Sequence, residues 1–208
     1  GRINKGAAKI LFGKVYLTKG DFQKAKDKLA EVVEHESEYG FGLHKDYHAN
    51  WLRDTEAGIE AVLYIEYKEP PFQHNGEMAL AGPKYSIPGS LGISALNEAD
   101  IPTQELYDQF DNRDLRKKTN FKTEFAHLKT GEILKSSIPL SGKFWVEGLE
   151  TGDRCDVNMH IIRYADAILM YAEALNEVGK STKALAMLNR IRERAFGDDS
   201  GNFKPMSK

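Results

Sequence analysis

The side chains best equipped for chemistry are scattered, and few stand at spacings that catalysis or metal binding requires. His44 and His48 lie four residues apart, the spacing that sets two imidazoles on one helical face for zinc. Lys45 intervenes and no third ligand is evident, so they read as structural or solvated histidines. Asp153, Asp156 and His160 could gather around a cation, but their spacing matches no calcium loop, and a polar turn ahead of a helix is the simpler reading. Cys155 is the single cysteine; it excludes a disulfide within the chain and a paired-cysteine metal motif, and no activating base is nominated beside it. There is no Gly-rich phosphate cradle, no Gly-x-Ser-x-Gly elbow and no His-Glu-x-x-His pair. The expectation is a protein without catalytic residues, metal or cofactor. A set suited to binding remains: Phe72, Gln73, His74, Asn75 and Tyr85 in one stretch, and Trp145 further on. Flat aromatic faces beside amide and imidazole groups can stack on a ligand and hydrogen-bond its edges.

Charge narrows the partners. Lys and Arg number 29 against 31 Asp and Glu, a net charge of −2 with His neutral. No basic excess exists to hold a nucleic-acid backbone or an anionic membrane surface. The most basic run, Arg113, Arg116, Lys117, Lys118 and Lys122 around Phe121, is interrupted by Asp111, Asp114 and Glu124 and reads as a solvated face. No apolar run approaches membrane-spanning length, and the chain opens in a helix pattern rather than a secretory signal.

The elements that must position these groups are mainly helical. Asn4 can cap a helix over about 5–18, with Ala7, Ala8, Leu11, Phe12, Val15 and Tyr16 at helical spacing. Gly20 turns the chain, and Asp21 caps a second helix to about His35 with Phe22, Ala25, Leu29, Val32 and Val33 as its stripe. The same design returns with a helix over Ile161–Val178, a break at Gly179 and a helix over Thr182–Ala195. Aligned at their turn glycines, Gly13, Tyr16, Gly20, Ala25, Leu29 and Val32 match Ala172, Leu175, Gly179, Ala184, Leu188 and Ile191. Small residues fall where helices approach and large ones where grooves are filled, the tetratricopeptide-like pattern. Residues 1–208 therefore read as one mainly α domain: a helix pair at about 4–35, an irregular insert at about 40–158, and a second pair at about 160–196. The insert holds a β-like run at Ala61–Tyr67, a Gly- and Pro-rich stretch, a helix over Ile101–Asp111 with Pro102 in its first turn, and extended segments over Ile133–Trp145 broken by Pro139 and Gly142.

Four segments in order resemble the SusD/RagB family. Lys5-Gly6-Ala7-Ala8 through Tyr16-Leu17 and Gly20-Asp21-Phe22 is similar to its "KGAA…YL…GDY" helix pair. Asp46-Tyr47 through Trp51 to Glu60-Ala61-Val62-Leu63-Tyr64-Ile65 resembles its "E-x-I-F-E-I" strand. Pro102-Thr103-Gln104-Glu105-Leu106 through Phe110 to Asp114 resembles "PT-x-EL…F…DPR", with Asn112 where Asp is common. Most specific is Ile162-Arg163-Tyr164-Ala165-Asp166 through Met170-Tyr171-Ala172-Glu173-Ala174-Leu175-Asn176-Glu177, then Ile191-Arg192-Glu193-Arg194-Ala195, close to "RYAE-x-LLMYAEALNE…VR-x-RA" with Asp166 for Glu. The resemblance implies a piece of a longer lipoprotein on the outer face of a bacterial outer membrane, with its lipid anchor outside this chain. It implies a SusC-like TonB-dependent transporter as partner and an oligosaccharide ligand that is passed inward uncleaved.

On that reading Phe72, His74, Asn75, Tyr85 and Trp145 are the candidate ligand contacts, and Trp51 belongs to the core. The alternative is a tetratricopeptide-type scaffold gripping a peptide or protein partner; the long insert between the repeats and the absence of a basic carboxylate clamp oppose it. Tyr164, Ile168, Tyr171 and Leu175 should line the core, with Arg163, Tyr164, Glu173 and Asn176 architectural. Apolar surface should stand exposed on the helices of 1–35 and 160–195 if further segments of the longer protein pack there.

Overall fold

The computed structural model describes residues 3–68, 76–84, 96–127, 129–146 and 155–205. The chain divides into two compact units, one built from 1–46, 57–65 and 160–208, the other from 47–56 and 66–159.

In the first unit Asn4 caps α1 (Lys5–Thr18) by accepting from the Ala7 N–H, and Asp21 caps α2 (Phe22–Val33) by accepting from the Lys24 N–H. A one-turn helix α3 (Glu36–Tyr39) follows and ends at Gly40. Strand β1 (Ala61–Ile65) pairs with β4 (Met159–Arg163), and the chain then runs into α7 (Tyr164–Glu177) and α8 (Ser181–Phe196). The turn glycines adopt the same left-handed backbone, φ 75° at Gly20 and 76° at Gly179, a conformation that an L side chain strains. The repeat inferred from spacing is thus a repeat of geometry. Helix α1 lies on α2, α2 on α7, and α7 on α8. Gly13 is where the first pair closes: a Cβ there would stand 2.5 Å from Leu29 Cγ, and Leu29 is fully buried.

The core of this unit gathers Ile10, Leu29, Val32, Tyr164, Ile168, Tyr171, Leu175 and Ile191. The expected core stripe of α7 is therefore in place. Arg163 pairs with Glu60, and Asn176 accepts from the Ser181 hydroxyl across the turn, while Glu173 stands exposed. Two tyrosines stitch the pairs together: the Tyr171 hydroxyl donates to Glu34, which also takes Lys183, and the Tyr164 hydroxyl donates to Glu36, which also takes Arg190. The expected exposed apolar surface is present on α1, at Leu11, Phe12 and Val15, and at Leu169 of α7.

The second unit holds a short 3-10 helix at Tyr47–Trp51, α4 (Glu77–Ala81), α5 (Gln104–Gln109), α6 (Arg116–Asn120), and the antiparallel pair β2 (Phe121–Ala126) and β3 (Ile133–Ser141). Its core joins Met78, Leu96, Phe125, Leu140, Val146, Cys155 and Val157.

Several expected boundaries move. Residues 161–163 belong to β4 rather than to the following helix, because apolar Ile161 and Ile162 serve strand pairing as readily as a helix face. The second helix of the first pair ends at Val33, short of His35, and the last helix runs one residue further at each end than expected. Helix α5 covers only Gln104–Gln109, capped by Thr103 accepting from the Leu106 N–H, so Pro102 stands ahead of the cap. Pro139 does not interrupt β3: Lys122 pairs with Leu140 and Glu124 with Lys135, so one residue of β2 faces a four-residue bulge that contains the proline.

Candidate functional site

Of the five nominated ligand contacts, Phe72, His74, Asn75 and Tyr85 lie outside the described residues. The structure does show what holds the chain on either side of them. Helix α4 ends at Gly82, and the chain returns at Leu96 to bond along it: Asn97 N–H donates to Ala79 O at 2.7 Å, Ala99 N–H to Leu80 O at 2.8 Å, and Glu98 N–H to Gly82 O at 3.0 Å. The Glu98 carboxylate accepts from the Lys84 N–H at 3.0 Å. Met78 and Leu96 are buried in the core below. Residues 82–84 and 96–99, on either side of Tyr85 in sequence, are thus bonded together.

The stretch carrying Phe72, His74 and Asn75 is held ahead of its start. Tyr67 N–H donates to the Asn158 side-chain oxygen at 2.8 Å, and Asn158 N–H donates to Glu56 Oε2 at 2.7 Å. Burial pushes the Glu56 carboxyl up to about 7, aided by the Asp156 charge and opposed by the Asn158 N–H and by Arg53. A carboxyl whose folded value is raised binds its proton more tightly folded than unfolded. Its contribution to stability is full below the unfolded value near 4.5 and is lost as pH rises through about 7. Stability should therefore fall by about 2–3 kcal/mol between pH 4.5 and 7.5, and Glu56→Gln should flatten that slope in denaturant titrations.

Trp145 is the nominated residue the structure resolves. Its ring packs on Phe125, centroids 4.6 Å apart at 51°, and it is half-buried against the second core. One part of the indole is committed to packing and the rest reaches solvent, a geometry that allows stacking on a ligand. Trp51 is buried as expected, edge-on to Tyr47 at 4.6 Å, with the Lys143 ammonium 5.2 Å from its ring centre.

The other chemical groups are absorbed by the fold. Cys155 is fully buried and its thiol is pushed up to about 11 by burial, which removes it as a nucleophile at neutral pH. Asp156 pairs with Arg53 at 2.5 Å and His160 sits beside Tyr64, while Asp153 lies outside the described residues. Among the described residues no group of three or more His, Cys, Asp or Glu side chains comes together as a metal site. In the basic run, Arg113 pairs with Asp111 and Arg116 with Asp114, while Lys117 donates to Phe110 O and Asn112. Asp111 is held down at about 2 by its hydrogen bonds from Arg113. That charge is spent locally, as a solvated face would spend it. Among the described residues no helix is long and apolar enough to cross a membrane.

One cavity escapes sequence reasoning. It measures about 270 Å³ in the first unit and is lined by Asn4, Tyr39, Phe41, Gly58, Val62 and Tyr64 among others. No local pattern announces it, because three separated segments form its walls. Its strongest groups are engaged elsewhere: Asn4 caps α1, Tyr39 accepts from Lys9 at 2.8 Å, and Phe41 stacks on Tyr164 at 5.6 Å. It is a weaker candidate than the second unit.

Comparison with known proteins gives a consistent result. The sequence profile described as the SusD family matches residues 59–205. SusD-like protein P2 of Formosa agariphila is 29% identical over 98% of this chain and 44% of its own length. A SusD superfamily protein from Parabacteroides distasonis superposes with a TM-score of 0.82 at 26% identity, over 99% of this chain and 46% of that one. Surface glycan-binding protein A from Bacteroides thetaiotaomicron, solved in complex with laminarihexaose, superposes with a TM-score of 0.76 at 18% identity, over 99% of this chain and 50% of that one. The chain spans less than half the length of P2.

Proposed function

The chain belongs to the SusD family, and from that membership we propose that it binds oligosaccharide at a bacterial cell surface without cleaving it and passes it to a SusC-like TonB-dependent transporter. The observation that carries the reading is the family match over residues 59–205, which takes in the whole stretch bearing the nominated contacts. A solved relative in complex with laminarihexaose supports an oligosaccharide as the ligand class. The outer membrane is the location this implies, with attachment through a lipid outside this chain.

Physical chemistry sets what such a site achieves. Sugar hydroxyls exchange water partners for protein partners at little net gain, so aromatic stacking supplies the discrimination and affinity stays in the micromolar to millimolar range. Phe72, Tyr85 and Trp145 are the stacking faces in this reading, and His74 and Asn75 the hydroxyl partners. Their sequence, rich in Gly and Pro, suits a surface shaped to a ligand while the helical unit stays fixed.

Calorimetry and affinity electrophoresis against a panel that includes laminari-oligosaccharides and other plant and host glycans test this. Tyr85→Ala and Phe72→Ala should each weaken binding about tenfold, more than Asn75→Ala, with the fold intact by circular dichroism. Unchanged binding in both aromatic variants discards this site. Release of shorter sugars from the panel would overturn the non-catalytic reading.

A further inference from the structure

Glu56 stands where three stretches of the second unit meet. That unit is built from 47–56 and 66–159, so its two segments have four ends. Glu56 is the last residue of the first segment, and Tyr67 and Asn158 stand one residue in from the two ends of the second. Two hydrogen bonds in series tie the three together: Tyr67 N–H donates to Asn158 Oδ1, and Asn158 N–H donates to Glu56 Oε2. Little else buries the first of these ends. From Leu52 to Ile59, Glu56 is the one buried residue; Thr55 is half-buried and the others are exposed. The Thr55 hydroxyl bonds back to Ala49 O at 2.7 Å, within the same segment.

A carboxyl group makes a poor buried tie unless it keeps its proton. Glu56 is 5% exposed. The charges that face it are Arg53 on its own segment and Asp156 on 155–158, and those two pair with each other. The Cys155 thiol feels the same charges and is neutral near pH 7, because burial pushes it up to about 11. The third stretch brings the Tyr67 N–H, which reaches Glu56 through Asn158. The Asn158 N–H favours ionised Glu56, while burial and the Asp156 charge favour the neutral acid, and burial is the largest effect. The closed joint therefore holds a proton up to about pH 7 that an opened, hydrated joint gives up near 4.5.

We propose that Glu56 is a pH-operated latch: with its proton in place it closes the joint of residues 53–56, 67 and 155–158, and with the proton lost the joint opens locally while β2 and β3 stay paired. Opening gives the carboxylate the water that burial denies it. Such an opening is local because residues 52–59 bury so little besides Glu56. Three of the unit's four segment ends are released together, since the two hydrogen bonds run in series through Asn158. The sign is fixed by which form binds the proton more tightly. Acid closes the joint and alkali opens it, with the opening constant rising between about pH 4.5 and 7 and levelling above. The latch needs no ligand, so it and the glycan reading stand or fall separately.

Hydrogen exchange in the full-length protein tests it, read at single amides by electron-transfer fragmentation and divided by the intrinsic rate at each pH. Between pH 5 and 8 the protection of the Tyr67 and Asn158 amides should fall at least about tenfold. Their exchange should stay faster than that of the β2 amides and respond little to low denaturant, the signature of a local opening. Glu56→Gln, whose amide oxygen still accepts from Asn158 N–H, should abolish the pH dependence. Asp156→Asn leaves the buried residue in place and removes a like charge, so the fall in protection should move to lower pH. Exchange of Tyr67 and Asn158 that matches the β2 amides at every pH overturns the latch. So does a pH dependence that persists in Glu56→Gln, or one that stays at the same pH in Asp156→Asn.

Discussion

Replacing Glu60 with Ala should lower stability by about 3–5 kcal/mol, because it leaves buried positive charge without its partner. Glu60 is fully buried. Its Oε1 accepts from Arg163 at 2.7 Å, and its Oε2 accepts from Arg194 at 2.9 Å and from the His44 N–H at 3.2 Å. Its carbonyl accepts from the Tyr164 N–H at 2.8 Å, which places the residue at the start of α7 as well as ahead of β1. The Arg194 side chain is 6% exposed, so water cannot replace the lost carboxylate there, whereas Arg163 at 25% can reach it. The imbalance predicts a further result. Glu60→Leu combined with Arg194→Met should cost less than Glu60→Leu alone, since only the partly exposed Arg163, which water can reach, then loses its carboxylate. Urea titrations of the three variants measure this. A loss under about 1 kcal/mol for Glu60→Ala would mean that the arginines are not held by this carboxylate.

Tyr171→Ala should cost about 2–5 kcal/mol, and Tyr171→Phe only about 1 kcal/mol. The ring is buried among the residues of the first core, and the truncation opens a cavity between α2 and α7. The hydroxyl donates to Glu34, which keeps Lys183 when that hydroxyl is gone, so the Phe variant loses one hydrogen bond without stranding a charge. Glycan affinity of the folded Phe variant should equal that of the natural protein. A tenfold drop in affinity at unchanged stability would mean that Tyr171 contacts ligand rather than core.

What the sequence made legible was what local periodicity encodes. Ala25, Leu29 and Val32 in one pair and Ala184, Leu188 and Ile191 in the other repeat at one registration, and Gly20 and Gly179 fix both turns, so the helix pairs could be placed by spacing alone. Errors cluster where a partner distant in sequence decides. Residues 161–163 suit a helix face, yet they pair with β1. Pro139 ends a strand by every local rule, yet a bulge opposite β2 accommodates it. The candidate site is harder for the same reason: the packing of Trp145 is visible only against Phe125, and the Glu56–Asn158–Tyr67 anchor joins three stretches that no spacing connects. The most specific of the four family-like segments runs from β4 through α8, and its Arg163, Tyr164, Tyr171 and Arg194 serve packing and ion pairing in the first unit. It identifies the family through scaffold residues and carries no information about a ligand.

The interleaving of the two units bears on how such a chain can evolve. The first unit is assembled from three separated segments, and its strands β1 and β4 meet across the intervening residues 66–158. Closing a loop costs entropy that grows only with the logarithm of its length, about 0.6 kcal/mol per doubling. Lengthening the insert therefore barely weakens the helical unit, although it delays the encounter of β1 with β4 and slows folding. Selection can thus rewrite the insert freely while the helical unit stays constant, and the burden falls on the rate of folding rather than on equilibrium stability.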